Sequence, residues 1–159
     1  HRPHRYRILG CPIMFLSCTL KNGIVYLPTA AKTEAGSYLS GEPVAVVPVA
    51  NTEALRRALQ DVMDRGNAIV PTPKREAFPP PVLPKYAGAK SWSAFMRGAS
   101  EWKIDERDGI YEIVPYRKDP DGGPGWVPDR KGRVDFPAGT KRDDVIDRMI
   151  AIVQDAAGK

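Results

Sequence analysis

The sequence predicts an α+β fold: a mainly antiparallel sheet built from hairpins, decorated by two main amphipathic helices and one short helix. Three observations carry this expectation. Lys21-Asn22-Gly23 and Arg107-Asp108-Gly109 each separate two strand-length apolar segments, and both supply residues that tolerate positive φ in a tight turn. Two stretches, beginning at Ala54 and Val145, repeat apolar residues at three- and four-residue spacing. Between them, Ser91 followed by Trp92, Phe95 and Met96 reads as a capped helix too short to be a main element.

Taken in order, Ile13 to Leu20 is an apolar, partly β-branched run and Ile24 to Leu27 is its return strand, with Pro28 closing it. Ala30 to Gly41 is small and polar and predicts a loop. Val44 to Val49, interrupted only by Pro48, is a continuous apolar run of the kind usually buried on both faces. Asn51 or Thr52 caps the first long helix, whose stripe is Ala54, Leu55, Ala58, Leu59, Val62 and Met63, and Gly66 sits where a C-terminal cap belongs. Ala68 to Val70 follows as a short strand, so that strand, helix and strand resemble a βαβ unit.

Pro71 to Pro84 holds six prolines, including Pro79-Pro80-Pro81, and predicts an extended arm crossing between two halves of one domain. Trp92 to Gly98 is the short helix. Glu101 to Asp105 and Ile110 to Tyr116 are strands, and the alternation of Trp102 and Ile104 with Glu101, Lys103 and Asp105 gives one buried and one solvated face. Asp119 to Gly125 is a loop, and Arg133 to Phe136 is a last short strand. Thr140 with Asp143 resembles a capping box for the final helix, whose stripe runs through Val145, Ile146, Met149, Ile150, Ile152, Val153 and Ala156. The 159 residues fit a single α+β domain spanning 1–159, with the Pro-rich crossing arm at 71–84.

The bulk chemistry narrows the function. No apolar run approaches the roughly 20 residues of a membrane span, and His1 to Arg7 is not followed by a secretory pattern, so a cytoplasmic protein is expected. Cys11 and Cys18 are seven apart in one strand, on opposite faces, which predicts free thiols. The only histidines are His1 and His4, so the common nucleophile triads lack a base. Asp119 and Asp121 beside Gly122-Gly123 lack the further acids of a calcium loop, and no phosphate-binding glycine motif opens a helix. The expectation is a protein that is not an enzyme, with no cofactor and no metal. A net charge of +5 raises nucleic acid as a partner, but the basic residues are scattered among acids, which makes nucleic acid unlikely as the partner.

Binding is expected instead on the segment from Tyr116 to Arg130. It gathers Tyr116, Arg117, Asp119, Asp121, Trp126, Asp129 and Arg130, aromatic and charged groups of the kind that dominate protein interfaces, with Gly and Pro fixing their direction. The competing reading folds Trp126 back as a lid on the core.

Lys90-Ser91-Trp92 with Phe95 and Gly98, Trp102-Lys103-Ile104, Asp108-Gly109, Ile113-Val114-Pro115, Gly122-Gly123 and Pro137-Ala138-Gly139-Thr140 together resemble a family of bacterial immunity proteins that accompany contact-dependent growth inhibition toxins. The resemblance runs from about Val82 to Ala156; the first half matches only in its order of elements. It implies an α+β fold and the neutralisation of the C-terminal domain of a cognate toxin, often a nuclease, with no active-site residues to carry over. A nuclease inhibitor is expected to be acidic, because it meets a surface built for phosphate. With a net charge of +5, this chain fits that role only if Asp119, Asp121 and Asp129 make its contact patch locally acidic, or if the toxin is not a nuclease. The alternative is a nucleic-acid-binding or regulatory protein that uses its basic surface.

Overall fold

In a computed structural model of the protein, which describes residues 14–123 and 125–159, one eight-stranded sheet carries every other element. Its strands are β1 (Met14–Lys21), β2 (Ile24–Thr33), β3 (Tyr38–Pro48), β4 (Ile69–Val70), β5 (Ser100–Arg107), β6 (Ile110–Lys118), β7 (Trp126–Pro128) and β8 (Val134–Asp135). The helices are α1 (Thr52–Arg65), α2 (Leu83–Tyr86), α3 (Trp92–Met96) and α4 (Arg142–Ala157). The main path runs β3-β2-β1-β5-β6-β7; β4 adds to β2, and β8 adds to β6. All pairings are antiparallel except that of β4 with β2. The α+β architecture is the expected one.

Two identical turn solutions generate the hairpins. Asn22 and Gly23 lie at φ 51° and 76°, and Asp108 and Gly109 at φ 52° and 76°. Positive φ at both central residues matches the turn twist to that of the flanking strands. Strand alternation then sorts the side chains. Leu16, Cys18, Val25, Leu27, Ile104 and Ile113 point to one face, where they meet Leu55 and Leu59 of α1 and Val145, Ile146 and Met149 of α4. Cys18 is a free thiol buried there, and burial pushes its pKa up to about 12, so it is inert. Cys11 and the basic residues before it lie outside the described residues.

Asn51 caps α1 by accepting from the Ala54 N–H (3.1 Å), and Ser91 caps α3 by accepting from the Ala94 N–H (3.1 Å). Gln154 of α4 donates to the Val49 carbonyl and to the Thr52 hydroxyl, so the start of α1 is stitched to the neighbouring helix.

The structure departs from the sequence reading in four places. β2 does not end at Pro28; it continues to Thr33, and β3 begins at Tyr38, so most of the expected loop from Ala30 to Gly41 is paired strand. Pro28 is accommodated at a register shift between Leu27 and Thr29, where a missing N–H costs no ladder bond. β3 is an edge strand rather than one buried on both sides, and Val46 is 44% exposed. The unit β3-α1-β4 is not a βαβ pair, because β4 aligns with β2. Thr140 does not cap α4: its hydroxyl donates to the Pro137 carbonyl and Lys141 takes the cap position without a side-chain bond.

The pairing of β1 with β2 covers only Thr19 to Lys21, whereas β1 pairs with β5 along seven residues from Met14 to Leu20. Where β1 leaves β2, the side chain of Asn67 takes over. Its Oδ1 accepts from the Phe15 N–H (2.9 Å), and its Nδ2 donates to the carbonyls of Phe15 and Ala30 (2.8 Å each).

Two stability outcomes follow from this geometry. Asn67→Ala should lower the unfolding free energy by about 2–3 kcal/mol in urea titration, because a buried backbone group left without a partner costs about 1–3 kcal/mol. A loss below about 0.5 kcal/mol would mean that water replaces the amide at no net cost. Gly109→Ala should cost about 1–2 kcal/mol through its positive φ alone, since no atom lies within 4 Å of the added Cβ. Gly41→Ala, equally open but without positive φ, is the control and should change stability by less than about 0.5 kcal/mol.

Candidate functional site

The same alternation that buries one face of the sheet turns polar side chains onto the other. Phe15, Ser17 and Thr19 of β1 stand opposite Asp105, Lys103 and Glu101 of β5, which in turn stand opposite Glu112, Val114 and Tyr116 of β6. At the β2 side this face is covered by a second apolar cluster of Tyr26, Leu83, Phe95 and Met96, with Trp126 packed against it. Lys21 holds that cover in place. Its ammonium donates to the carbonyls of Ala94 (2.9 Å), Phe95 (2.6 Å) and Arg97 (3.0 Å), the acceptors left free where α3 ends. On the other side, Tyr86 donates to Glu42 and Lys85 pairs with the same carboxylate (3.1 Å), which ties α2 to β3.

Among the described residues nothing covers the remainder of the face. Phe15 and Tyr38 stack with centroids 4.2 Å apart, and the Lys103 ammonium lies 4.2 Å from the Tyr116 ring centroid and 5.6 Å from that of Phe15. Asp105 pairs with Arg107 (3.3 Å), and Arg133 with Asp135 (3.1 Å). Phe15, Tyr38, Lys103, Tyr116, Asp105 and Arg107, with Glu112 and Arg130, border a cavity of about 140 Å³. The Glu112 carboxyl is pushed up by burial and by the acids Asp105 and Asp135, while Arg133 and Arg130 pull it down.

Glu101 stands apart. It is only 8% exposed, yet it points into a pocket of about 280 Å³ shared with Ser17, Ser40, Lys103, Trp92 and Trp126. Pro79, Pro80 and Pro81 of the arm wall an adjoining cavity of about 230 Å³ that Glu101 also borders. Burial raises its pKa, and Lys103 offsets this in part. Among the described residues no hydrogen bond or ion pair reaches its carboxylate. Thr19, directly across on β1, also has a buried hydroxyl without a partner.

Of the residues expected to bind, Tyr116, Trp126 and Arg130 reach this face: Tyr116 and Arg130 at the smaller cavity, and Trp126 at the Glu101 pocket. Trp126 is half-buried and packs on the second cluster, so it serves as both lid and wall. Arg117 alternates away from Tyr116 and is exposed. Asp119 accepts from the Asp121 N–H (2.9 Å) and Asp129 from the Lys131 N–H (3.3 Å), so both acids shape turns, while Asp121 itself is exposed. Gly123 packs so closely on the Asp119 carboxylate that any side chain there would collide with it. Sequence reasoning missed Glu101 and Trp92 as site residues. Alternation put Glu101 on the solvated face, and only the packing of α3 and the arm shows that this face is covered there.

Among the described residues no group of three His, Cys, Asp or Glu side chains could hold a metal ion, and no helix is long and apolar enough to cross a membrane.

Glu101 has a consequence for stability. Its folded-state pKa lies above that of the unfolded chain, so the folded protein holds the proton more tightly, and stability falls as pH rises through the folded value. The groups facing it are Lys103 on its own strand, Tyr116 on β6 and the hydroxyls of Ser17 and Thr19 on β1. Glu101→Gln should therefore melt higher than wild type at neutral pH and converge with it below about pH 4. Equal melting temperatures at neutral pH would mean that the charge is compensated in solution.

No family model matches the sequence, and no curated protein matches it. Among solved structures, a protein of unknown function from Neisseria meningitidis is similar at a TM-score of 0.61 and 12% identity, over 89% of this chain and 94% of that one. A chain of the CdiA-CT/CdiI toxin and immunity complex from Yersinia pseudotuberculosis is similar at a TM-score of 0.59 and 12% identity, over 88% of this chain and 95% of that one. At this identity the likeness is one of fold.

Proposed function

We propose that the chain is an immunity protein: it binds the C-terminal toxin domain of a contact-dependent growth inhibition system and neutralises it, with the open sheet face as the docking surface. The observation that carries this reading is the fold shared, over nearly the full length, with a chain of a toxin and immunity complex. A toxin–immunity pair has two kinds of member. The immunity role suits this chain, whose polar face is built from ion pairs and aromatic rings rather than from a nucleophile with its base. It acts without a cofactor, in the cytoplasm of the cell it protects.

We take the toxin to be a nuclease that is met by paired contacts rather than by a locally acidic patch, because Asp119 and Asp129 are spent on turns and do not form that patch. The open face is of mixed sign, with Glu101, Asp105 and Glu112 set against Lys103, Arg107 and Arg130. Such a face does not imitate a nucleic acid; it favours specific paired contacts over long-range attraction. The same mixing disfavours the nucleic-acid-binding alternative. Part of the basic surface is already engaged, as in Arg56 with Asp147 (2.7 Å) and Arg142 with Asp64 (3.3 Å).

Co-expression with the toxin domain encoded beside this chain should restore growth, and the purified pair should bind tightly by calorimetry. Tyr116→Ala or Trp126→Ala should weaken that binding by about 30-fold or more, the range of interface hot spots. Asp121→Lys, on the rim, should weaken it by less than about tenfold. Unrelieved toxicity with no complex would sink the immunity reading. A tight complex indifferent to Tyr116 and Trp126 would move the interface off the open face.

A further inference from the structure

A carboxylate removed from water without a partner is costly unless the charge is completed by something that comes and goes. Glu101 is close to that position: it is 8% exposed as a residue, its carboxylate meets solvent only through the pocket, and no hydrogen bond reaches it from the described residues. Among the described residues the cation that acts on it is Lys103, which lines the same pocket, is held over the Tyr116 and Phe15 rings and forms no ion pair with it. The Thr19 hydroxyl opposite is equally unused.

The walls around this acid combine two indoles with the hydroxyls of Ser17 and Ser40 and with Lys103. Trp92 and Trp126 border the pocket, and the prolines of the arm close the side towards β3. Trp92 keeps 36% of its surface exposed although it begins a helix whose other aromatic, Phe95, is fully buried. Its position is maintained by the Lys21 clamp on the end of α3, so the wall is fixed before any partner arrives. A negative group at the base of a pocket with indole walls suits a planar cation, which can pair with the carboxylate and lie against an indole face. At about 280 Å³ the pocket falls below the range of about 300–1,000 Å³ typical of sites for whole small molecules, and suits one side chain.

We propose that the pocket of Glu101, Trp92 and Trp126 receives an arginine side chain of the protein partner, pairing its guanidinium with the Glu101 carboxylate. This rests on the immunity reading for the identity of the partner, a toxin whose nucleic-acid-handling surface would be rich in arginine, but the chemistry of the pocket is independent of it. The rim is open enough for a side chain to enter from the same face that carries Tyr116 and Arg130, so a single docked surface engages all of them.

Two experiments separate the pocket from the partner. In the first, the full chain is titrated with N-acetyl-arginine amide while the indole N–H signals of Trp92 and Trp126 are followed by NMR. Saturable shifts in the millimolar range are expected, at least tenfold weaker in Glu101→Gln, several-fold weaker in Trp92→Leu, and absent with the uncharged citrulline analogue. Because Trp92 is partly exposed, the second variant keeps the test valid if the first perturbs folding. Absence of saturation, or equal shifts with citrulline, overturns the inference. In the second, Glu101→Gln is measured against the toxin domain, with a loss of 30-fold or more expected. Wild-type binding with unchanged affinity in Glu101→Gln overturns the inference and leaves the immunity reading standing. No toxin binding by wild type, with the arginine titration positive, overturns the immunity reading and upholds the pocket.

Discussion

The backbones of β1 and β2 separate before Thr19, while β1 goes on pairing with β5 as far as Met14, and the hydrogen bonds lost at the split must be replaced. Asn67 replaces them. A primary amide is the one uncharged side chain that offers both a donor pair and an acceptor from a single end, and here it answers one N–H and two carbonyls at once. The split also frees the end of β2, where Lys32 and Thr33 pair with Ile69 and Val70 just beyond Asn67. The C-terminal end of α1, the short strand after it and the centre of the sheet are thus fixed by one residue. Above that centre lies the face on which the arm and α3 build their pocket.

Cover on the two faces is unequal, and that inequality makes a site. α1 and α4 shield one face with long apolar stripes, tied to each other by Arg56 with Asp147 and by Arg142, which also reaches the Tyr111 hydroxyl (3.1 Å). Among the described residues the other face has two short helices and a proline-rich arm, none of which could stand alone. They depend on polar anchors, Lys21 to α3 and Glu42 to α2, and they stop where those anchors stop. Past that limit the sheet keeps its strand alternation and shows water its aromatic and charged residues.

Much of this was legible in the sequence wherever local chemistry decides structure. Asn22-Gly23 and Asp108-Gly109 specify hairpins because few residues accept positive φ twice in succession. The stripes of α1 and α4 specify helices because their spacing suits no strand. The reading failed where structure is settled between segments. Ala30 to Gly41 is polar and small, yet two stretches of it pair with each other across a turn at Gly36. Val44 to Val49 is apolar because its alternate residues meet different clusters, Val44 the outer one and Ala45 and Val47 the inner one, even though the strand lies at the edge. Thr140 carries a capping signature, but its hydroxyl finds a nearer acceptor in Pro137.

Glu101 shows why a binding site is harder to read than a fold. Two residues from Lys103 and four from Asp105, it follows the same alternation as those charged neighbours, and nothing local distinguishes it. What sets it apart arrives from far along the chain: Trp92 on a helix held by Lys21, Trp126 on the last long hairpin, and prolines from the arm. A charge that local pattern assigns to solvent has been largely enclosed by tertiary packing, and among the described residues no hydrogen-bond partner was supplied with it. Packing that only stabilised the chain would favour a neutral residue at that position, as the raised pKa of Glu101 indicates. Retaining the acid there costs stability in the free protein, and binding a cation is the process that can return it.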